Sequence, residues 1–321
     1  MKPSTRGPIV AATDLSPASD RVLRAAAAMA NATGMPLHVI HALDFPPSPY
    51  LDRQAAEPTF QGRVEAARQA LDRQIARAVP PGVDVAGTRL EIYAAHRAID
   101  EYARAVSAGL VVIGPHTHGN LEAELLGSTA DRLIRTLEAP CMIVRGDFIL
   151  PLRRVLVPMD LSEPARPALL AALHWARMLG LQGGAPDRGT EAVVLHVVPC
   201  LGAPEPPFER ASVPPGLNRE VETAFELAGS PWNVTVREEV VWGDWPAEEI
   251  LELAEREWMD LVVLATHGHG AVARALIGST ASVVARRARC PVLLVPPRLW
   301  LKKSGAKAGE ARRAGARPTP V

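Results

Sequence analysis

Short apolar runs alternate along this chain with longer stretches in which apolar residues recur every three or four positions. The runs Pro8–Thr13, Leu37–Ala42, Leu110–Ile113 and Cys141–Val144 read as strands. So do Val155–Met159, Ala192–Val198, Leu261–Leu264 and Val292–Val295. Two further strands are expected near Arg89–Tyr93 and over Val234–Val241. Between the runs, Val22, Leu23, Ala26, Met29 and Ala30 line one helical face. Ala168, Leu169, Ala172, Trp175 and Ala176 line another. Helices are also expected at Ile99–Val106 and Ala247–Glu257, and after each Gly-Ser-Thr. Ser16 before Pro17, and Ser162 before Glu163-Pro164, mark helix starts. Strands alternating with helices imply parallel sheets covered on both faces, joined by right-handed crossovers.

The pattern is written twice. At an offset of 151, Val112 falls on Val263, Gly119 on Gly270, Gly127 on Gly278, Ser128 on Ser279 and Pro140 on Pro291. Near the start of each half, IVAATDLSPASDRVL from Ile9 matches VLVPMDLSEPARPAL from Val155, and Asp14 falls on Asp160. The expected division is 1–150, 151–300 and a basic, Ala- and Gly-rich tail over 301–321 that reads as disordered. Each half is an α/β domain with a mostly parallel five-stranded sheet, Rossmann-like or flavodoxin-like. The halves are expected to pack as an internal pseudo-dimer through their short apolar last strands, which would otherwise be edges open to pairing. A full-length homodimer stays open beside a monomer that mimics a dimer.

Composition narrows the function. The 321 residues balance 35 Lys and Arg against 35 Asp and Glu, which argues against a broad nucleic-acid or membrane-surface binder. No apolar run is long enough to span a bilayer, and the N-terminus lacks a signal-peptide pattern. Cys141, Cys200 and Cys290 show no metal spacing, and their sparse, odd number suits a reducing compartment, so the expected location is the cytoplasm. Neither a Walker A sequence nor a G-x-S-x-G elbow occurs.

The duplicated segment carries the candidate chemistry. It reads VVIGPHTHGNLEAELLGST from Val111 and VVLATHGHGAVARALIGST from Val262. Each copy runs from a strand through a glycine-bearing loop to Gly-Ser-Thr at a helix start. That is the end of a parallel sheet where ligands bind, and free N–H groups at a helix N-terminus suit a phosphate. The plainer reading is a helix cap by Ser128 or Ser279, with Asp131 or Ser282 completing it.

On these residues the chain resembles a tandem universal stress protein over about residues 7–297. ATP-binding members of that family carry G-x-x-G-x9-G-(S/T) at this place, an Asp after the first strand, and a backbone position after the second strand that meets adenine. The resemblance therefore implies Asp160, Val197, Ala265, Gly268, Gly278, Ser279 and Thr280 in the second half. In the first half it implies Asp14, Ala42, Gly114, Gly127 and Ser128. The aspartates would face the nucleotide, and Ala42 and Val197 would offer main chain to adenine. The copies depart from the motif differently: Ala265 replaces the first glycine of the second copy, and Thr117 the second glycine of the first. Ala adds one methyl, whereas β-branched Thr rarely takes φ > 0, so the second half is the expected better site. W-G-D-W-P (Trp242–Pro246), near a Gly-x-Pro of the family, is another feature kept only there.

The implied function is regulatory binding of ATP or a related adenine nucleotide, accompanied by Mg2+, with little or no hydrolysis. No lysine stands in either loop to reach the phosphates. A scaffold that binds no nucleotide and an adenine-nucleotide α-hydrolase are the alternatives; T-D-L-S-P-A and M-D-L-S-E-P differ from the S-G-G-x-D-S-like loop of the latter. His116 with His118 and His267 with His269 form two H-x-H pairs, read as loop histidines bonded to backbone or near phosphate rather than as metal ligands. His41 and His196 are expected to be satisfied, half-buried histidines. Trp232, Trp242, Trp245 and Trp258 cluster in the second half, and half or more of the six tryptophans are expected as core and interface anchors.

Overall fold

The computed structural model describes residues 7–44, 53–115, 126–180, 189–200, 214–228, 233–266 and 278–296. In the first half, β1 (Ile9–Thr13) leads through a 3-10 turn to α1 (Asp20–Thr33) and β2 (Leu37–Ala42). Then come α2 (Arg53–Ala78), β3 (Val85–Glu91), α3 (Ala95–Ala105), β4 (Leu110–Ile113), α4 (Ser128–Thr136) and β5 (Cys141–Ile143). The second half repeats the order with β6 (Arg154–Pro158), α5 (Arg166–Leu179), β7 (Thr190–Val198), α6 (Pro215–Ala228) and β8 (Val234–Trp242). It closes with α7 (Pro246–Arg256), β9 (Leu261–Ala265), α8 (Ser279–Arg287) and β10 (Val292–Val295).

All ten strands form one sheet in the order β3-β2-β1-β4-β5-β10-β9-β6-β7-β8. Each half thus has the Rossmann-like strand order, which decides against the flavodoxin-like alternative. Pairing is parallel within each half, and the halves meet where β5 and β10 run antiparallel. There Val292 faces Ile143, Leu293 faces Met142 and Leu294 faces Cys141. The expected junction of the last strands is therefore present, and it merges two sheets into one.

Strand alternation explains the two cores. Met142, Leu293 and Val295 point to the layer of α1 and α5, with Ala26, Leu169 and Trp175. Cys141, Ile143, Val292 and Leu294 point to the opposite layer, with Leu133 of α4 and Val284 of α8. Both cores run unbroken across the junction. A fully buried Val, Leu, Ile or Met is worth about 1.5–3 kcal/mol, so this seam is a substantial part of the molecule's stability.

Some elements depart from expectation. β3 starts at Val85, four residues ahead of the expected run; its mixed burial, with several exposed positions, hid its beginning from an apolar count. The helix α2 begins at Arg53 and carries Pro58 in its second turn. A proline that early removes a single helical hydrogen bond, a loss that a helix of 26 residues absorbs. The tail over 301–321 lies outside the described residues.

Candidate functional site

The C-terminal edge of the sheet gathers the expected residues. Asp14 follows Thr13, which pairs with His41 of β2, and Ala42 comes next along that strand. Gly114 follows the last residue of β4, the strand on the other side of β1. The point where strand order reverses thus lies between β1 and β4, with Asp14 and Gly114 on either side. Asp160, Val197 and Ala265 take the matching places at the ends of β6, β7 and β9.

Each aspartate organises its own turn. Asp14 Oδ1 accepts the Ser16 N–H at 2.9 Å and the Ser19 hydroxyl at 2.5 Å. Asp160 Oδ1 accepts the N–H of Ser162 at 3.0 Å and its hydroxyl at 2.5 Å. The leucine between Asp and Ser is left-handed in both halves, at φ 65° for Leu15 and 60° for Leu161. That conformation costs an L-residue about 1–2 kcal/mol, so the same strain recurs in both copies of one turn.

The histidines hold these turns from beside. His41 Nδ1–H donates to the Thr13 carbonyl at 2.8 Å, and His196 Nδ1–H to the Met159 carbonyl at 2.8 Å. The carbonyl can only accept, so the bond fixes the tautomer and places Nε2 at the far side of each ring. Both rings therefore brace the residue preceding the aspartate, the satisfied role expected of them. In the first half, α2 adds support: Gln74 accepts from the Thr13 hydroxyl and donates to the Ser16 carbonyl and to Asp20. Arg77 clasps Asp20 with two bonds and holds its carboxyl below the usual range. At the matching place of the second half the charges are exchanged, Arg166 clasping Glu220. Neither network follows from local sequence pattern, because each joins residues more than fifty positions apart.

The two loops are pinched at their bases. The N–H of Gly127 donates to the Pro115 carbonyl at 2.7 Å, and that of Gly278 to the Thr266 carbonyl at 2.8 Å. The cap reading of Ser128 and Ser279 is corrected here: the N-caps are Gly127 and Gly278, and both serines lie one residue inside the helix. Among the described residues, no side chain caps either helix. Asp131 turns instead to Arg135 and to Arg286 of the other half, and the hydrogen bonds hold its carboxyl below the usual range. Glycine is not needed there for backbone freedom, since Gly127 has φ −61° and Gly278 φ −57°. A Cβ on Gly278 would approach no described atom more closely than the Thr266 carbonyl, at 3.7 Å. Thr280 follows in the first turn of α8.

Gly268, Thr117, Trp232 and the H-x-H residues lie outside the described residues. Trp175 is 2% exposed, a core anchor as expected, but Trp245 is 75% and Trp258 85% exposed. Those two flank α7, where helix termini face solvent, and stand outside the core. A Cβ on Gly243 of the W-G-D-W-P turn would stand 2.4 Å from the Glu249 carboxylate, so that flexible side chain would have to move aside. Burial pushes the Cys141 and Cys290 thiols up to about 12, which keeps them protonated and inert.

A duplicated Rossmann-like sheet with a glycine-based loop and an uncapped helix start at its carboxyl edge defines the class of protein. The chain belongs to the universal stress protein family, whose sequence model matches residues 5–145 and again 151–296. A universal stress protein of Mycolicibacterium smegmatis is 29% identical over 313 residues, spanning 90% of this chain and 97% of that relative. Universal stress protein MJ0531 of Methanocaldococcus jannaschii is 32% identical over 148 residues, spanning 44% of this chain and 81% of its own. The crystal structure of a universal stress protein from Archaeoglobus fulgidus superposes with a TM-score of 0.65 over 91% of this chain and 99% of that one, at 19% identity, a likeness of fold.

Proposed function

We propose that this chain binds ATP or a closely related adenine nucleotide in the cytoplasm, more tightly in its second half, and acts as a regulatory binding protein with little or no hydrolysis. The observation that carries the reading is the start of α8. Ser, Asp or Asn at an N-cap would satisfy the first N–H groups, a gain over glycine of about 0.3 kcal/mol. Here glycine stands instead, with neither a left-handed φ nor a close described neighbour to demand it. Such a helix start leaves N–H donors and room for an anion. The Ser279 hydroxyl lies beside them, and Mg2+ would travel with the phosphates. Asp160 and the main chain near Val197 lie along the same sheet edge, on the side where ribose and base would extend.

The second half is favoured because Gly268 keeps the motif's glycine where the first half has Thr117. Binding acts on function only if two conformations of the protein differ in affinity for the nucleotide. The test is mass spectrometry of protein purified without added nucleotide, followed by calorimetry with ATP. Gly268→Thr is expected to abolish binding and Thr117→Gly to leave it nearly unchanged. Absence of co-purified nucleotide together with no heat at millimolar ATP rejects the reading in favour of a scaffold. Release of AMP and pyrophosphate would point to an α-hydrolase.

A further inference from the structure

The two halves do not hold each other symmetrically. Arg145, just past β5, is 8% exposed, and its Nε–H donates at 3.0 Å to the Ala285 carbonyl in the last turn of α8. The next residue, Gly146, has φ +62°, and a Cβ there would lie 2.9 Å from the Arg289 carbonyl, so the chain crosses closely over the turn that ends α8. Asp131 of α4 reaches Arg286, again in the last turn of α8, at 3.2 Å. The first half therefore grips the C-terminal end of α8 with a buried guanidinium, a close backbone crossing and a carboxylate.

The reverse grip is missing from the sequence. At the repeat offset Arg145 corresponds to Pro296 and Asp131 to Ser282. Proline has no donor to offer a helix carbonyl, and serine carries no charge for Arg135. Burying an arginine is costly, and desolvation lowers the pKa of Arg145. Its charge is well placed against the negative end of the α8 dipole. A helix of nine residues is a rod about 13 Å long, so its C-terminal anchor also sets where its N-terminus stands.

We propose that Arg145 is a positioning residue for the nucleotide site of the second half, holding α8 so that Gly278, Ser279 and Thr280 meet the phosphates. The proposal rests on the nucleotide reading above. It makes the first half a support built into the second half's site, a role that does not depend on the first half's own loop, where Thr117 stands in place of a glycine.

The test compares Arg145→Ala, Arg145→Lys and, as a destabilised control remote from α8, Leu71→Ala in the full chain. Leu71 is a buried residue of α2. ATP affinity is read by calorimetry, and amide hydrogen exchange is read along α8. Arg145→Ala is expected to weaken ATP about tenfold and to speed exchange at Ser282–Ala285, the first amides of α8 that bond back into the helix. Arg145→Lys, which keeps a donor, is expected to recover most of both, and Leu71→Ala to lower Tm without either effect. Unchanged exchange along α8 in Arg145→Ala, or an equal loss of affinity in Leu71→Ala, overturns the proposal. If the unaltered protein binds no ATP, the functional reading fails, while the exchange comparison still decides whether Arg145 positions α8. Should Arg145→Ala not fold, Arg145→Gln enters the same comparison.

Discussion

Asp14 and Asp160 each spend one carboxylate oxygen on their own turn, and that turn drives the following leucine into a left-handed conformation. The strain is tolerated because a histidine, serine hydroxyls and the core around Leu15 and Leu161 hold the surroundings in place. A different histidine adds to the acid sensitivity of the fold. His174 lies within α5 beside Trp175, with ring centroids 5.6 Å apart. Burial, assisted by Arg177, lowers its pKa from 6.5 to about 4. A base whose folded pKa is depressed is neutral in the fold while the unfolded chain takes up a proton. The stability it supports is complete above about pH 6.5 and is lost as pH falls toward 4, at up to about 1.4 kcal/mol per pH unit. Urea titrations of the protein and of His174→Leu, run from pH 7.5 to 4.5, are expected to diverge in slope, with the variant the flatter of the two below pH 6.5.

At the scale of elements, α4 and α8 are the informative pair. They share length, an N-terminal glycine and a pinched loop before them, yet among the described residues only α8 is held at its far end by the other half through a buried arginine. The glycine N-cap separates fold from function in one substitution. Gly278→Ser puts a favoured cap residue at φ −57°, where a Cβ finds open space among the described residues. Thermal unfolding is expected to show unchanged or slightly raised stability, by about 0.3 kcal/mol, because the new hydroxyl can accept a first-turn N–H. ATP affinity is expected to fall, since the same hydroxyl occupies the phosphate's place. Loss of stability with affinity intact would mean that the glycine serves the loop and not a ligand.

For the whole molecule, the antiparallel β5–β10 seam matters most. It turns two edge strands into interior ones and joins both cores. A typical domain is stable by only about 5–15 kcal/mol, and several of the seam's side chains would lose cover worth a few kcal/mol if it opened. Residues 1–150 expressed alone are expected to pair through β5 with a second copy or to aggregate, and not to remain monomeric. Light scattering on the half-chain reads this directly: a stable, soluble monomer would show that the seam is dispensable. No helix among the described residues is long and apolar enough to cross a membrane.

Local pattern was enough for the strands β2, β4 and β10, whose ends agree with the apolar runs, because a strand buried on both faces needs consecutive apolar residues. The duplication, and with it two similar loops at two helix starts, was legible for the same reason: repeated burial demands a repeated pattern. The polar side of the site was not. Asp131 pairs with an arginine 155 positions away, Arg145 with a carbonyl 140 away, and Thr13 with a glutamine 61 away. Nothing in the neighbourhood of those residues distinguishes a cap from a cross-molecule contact. The sequence by itself determined two α/β units, their order of elements and the unequal glycines of their loops, since these depend on short-range periodicity and residue type. Only the tertiary structure decided which glycines cap the helices and that one half grips the other, because those outcomes depend on which distant groups burial brings within hydrogen-bonding reach.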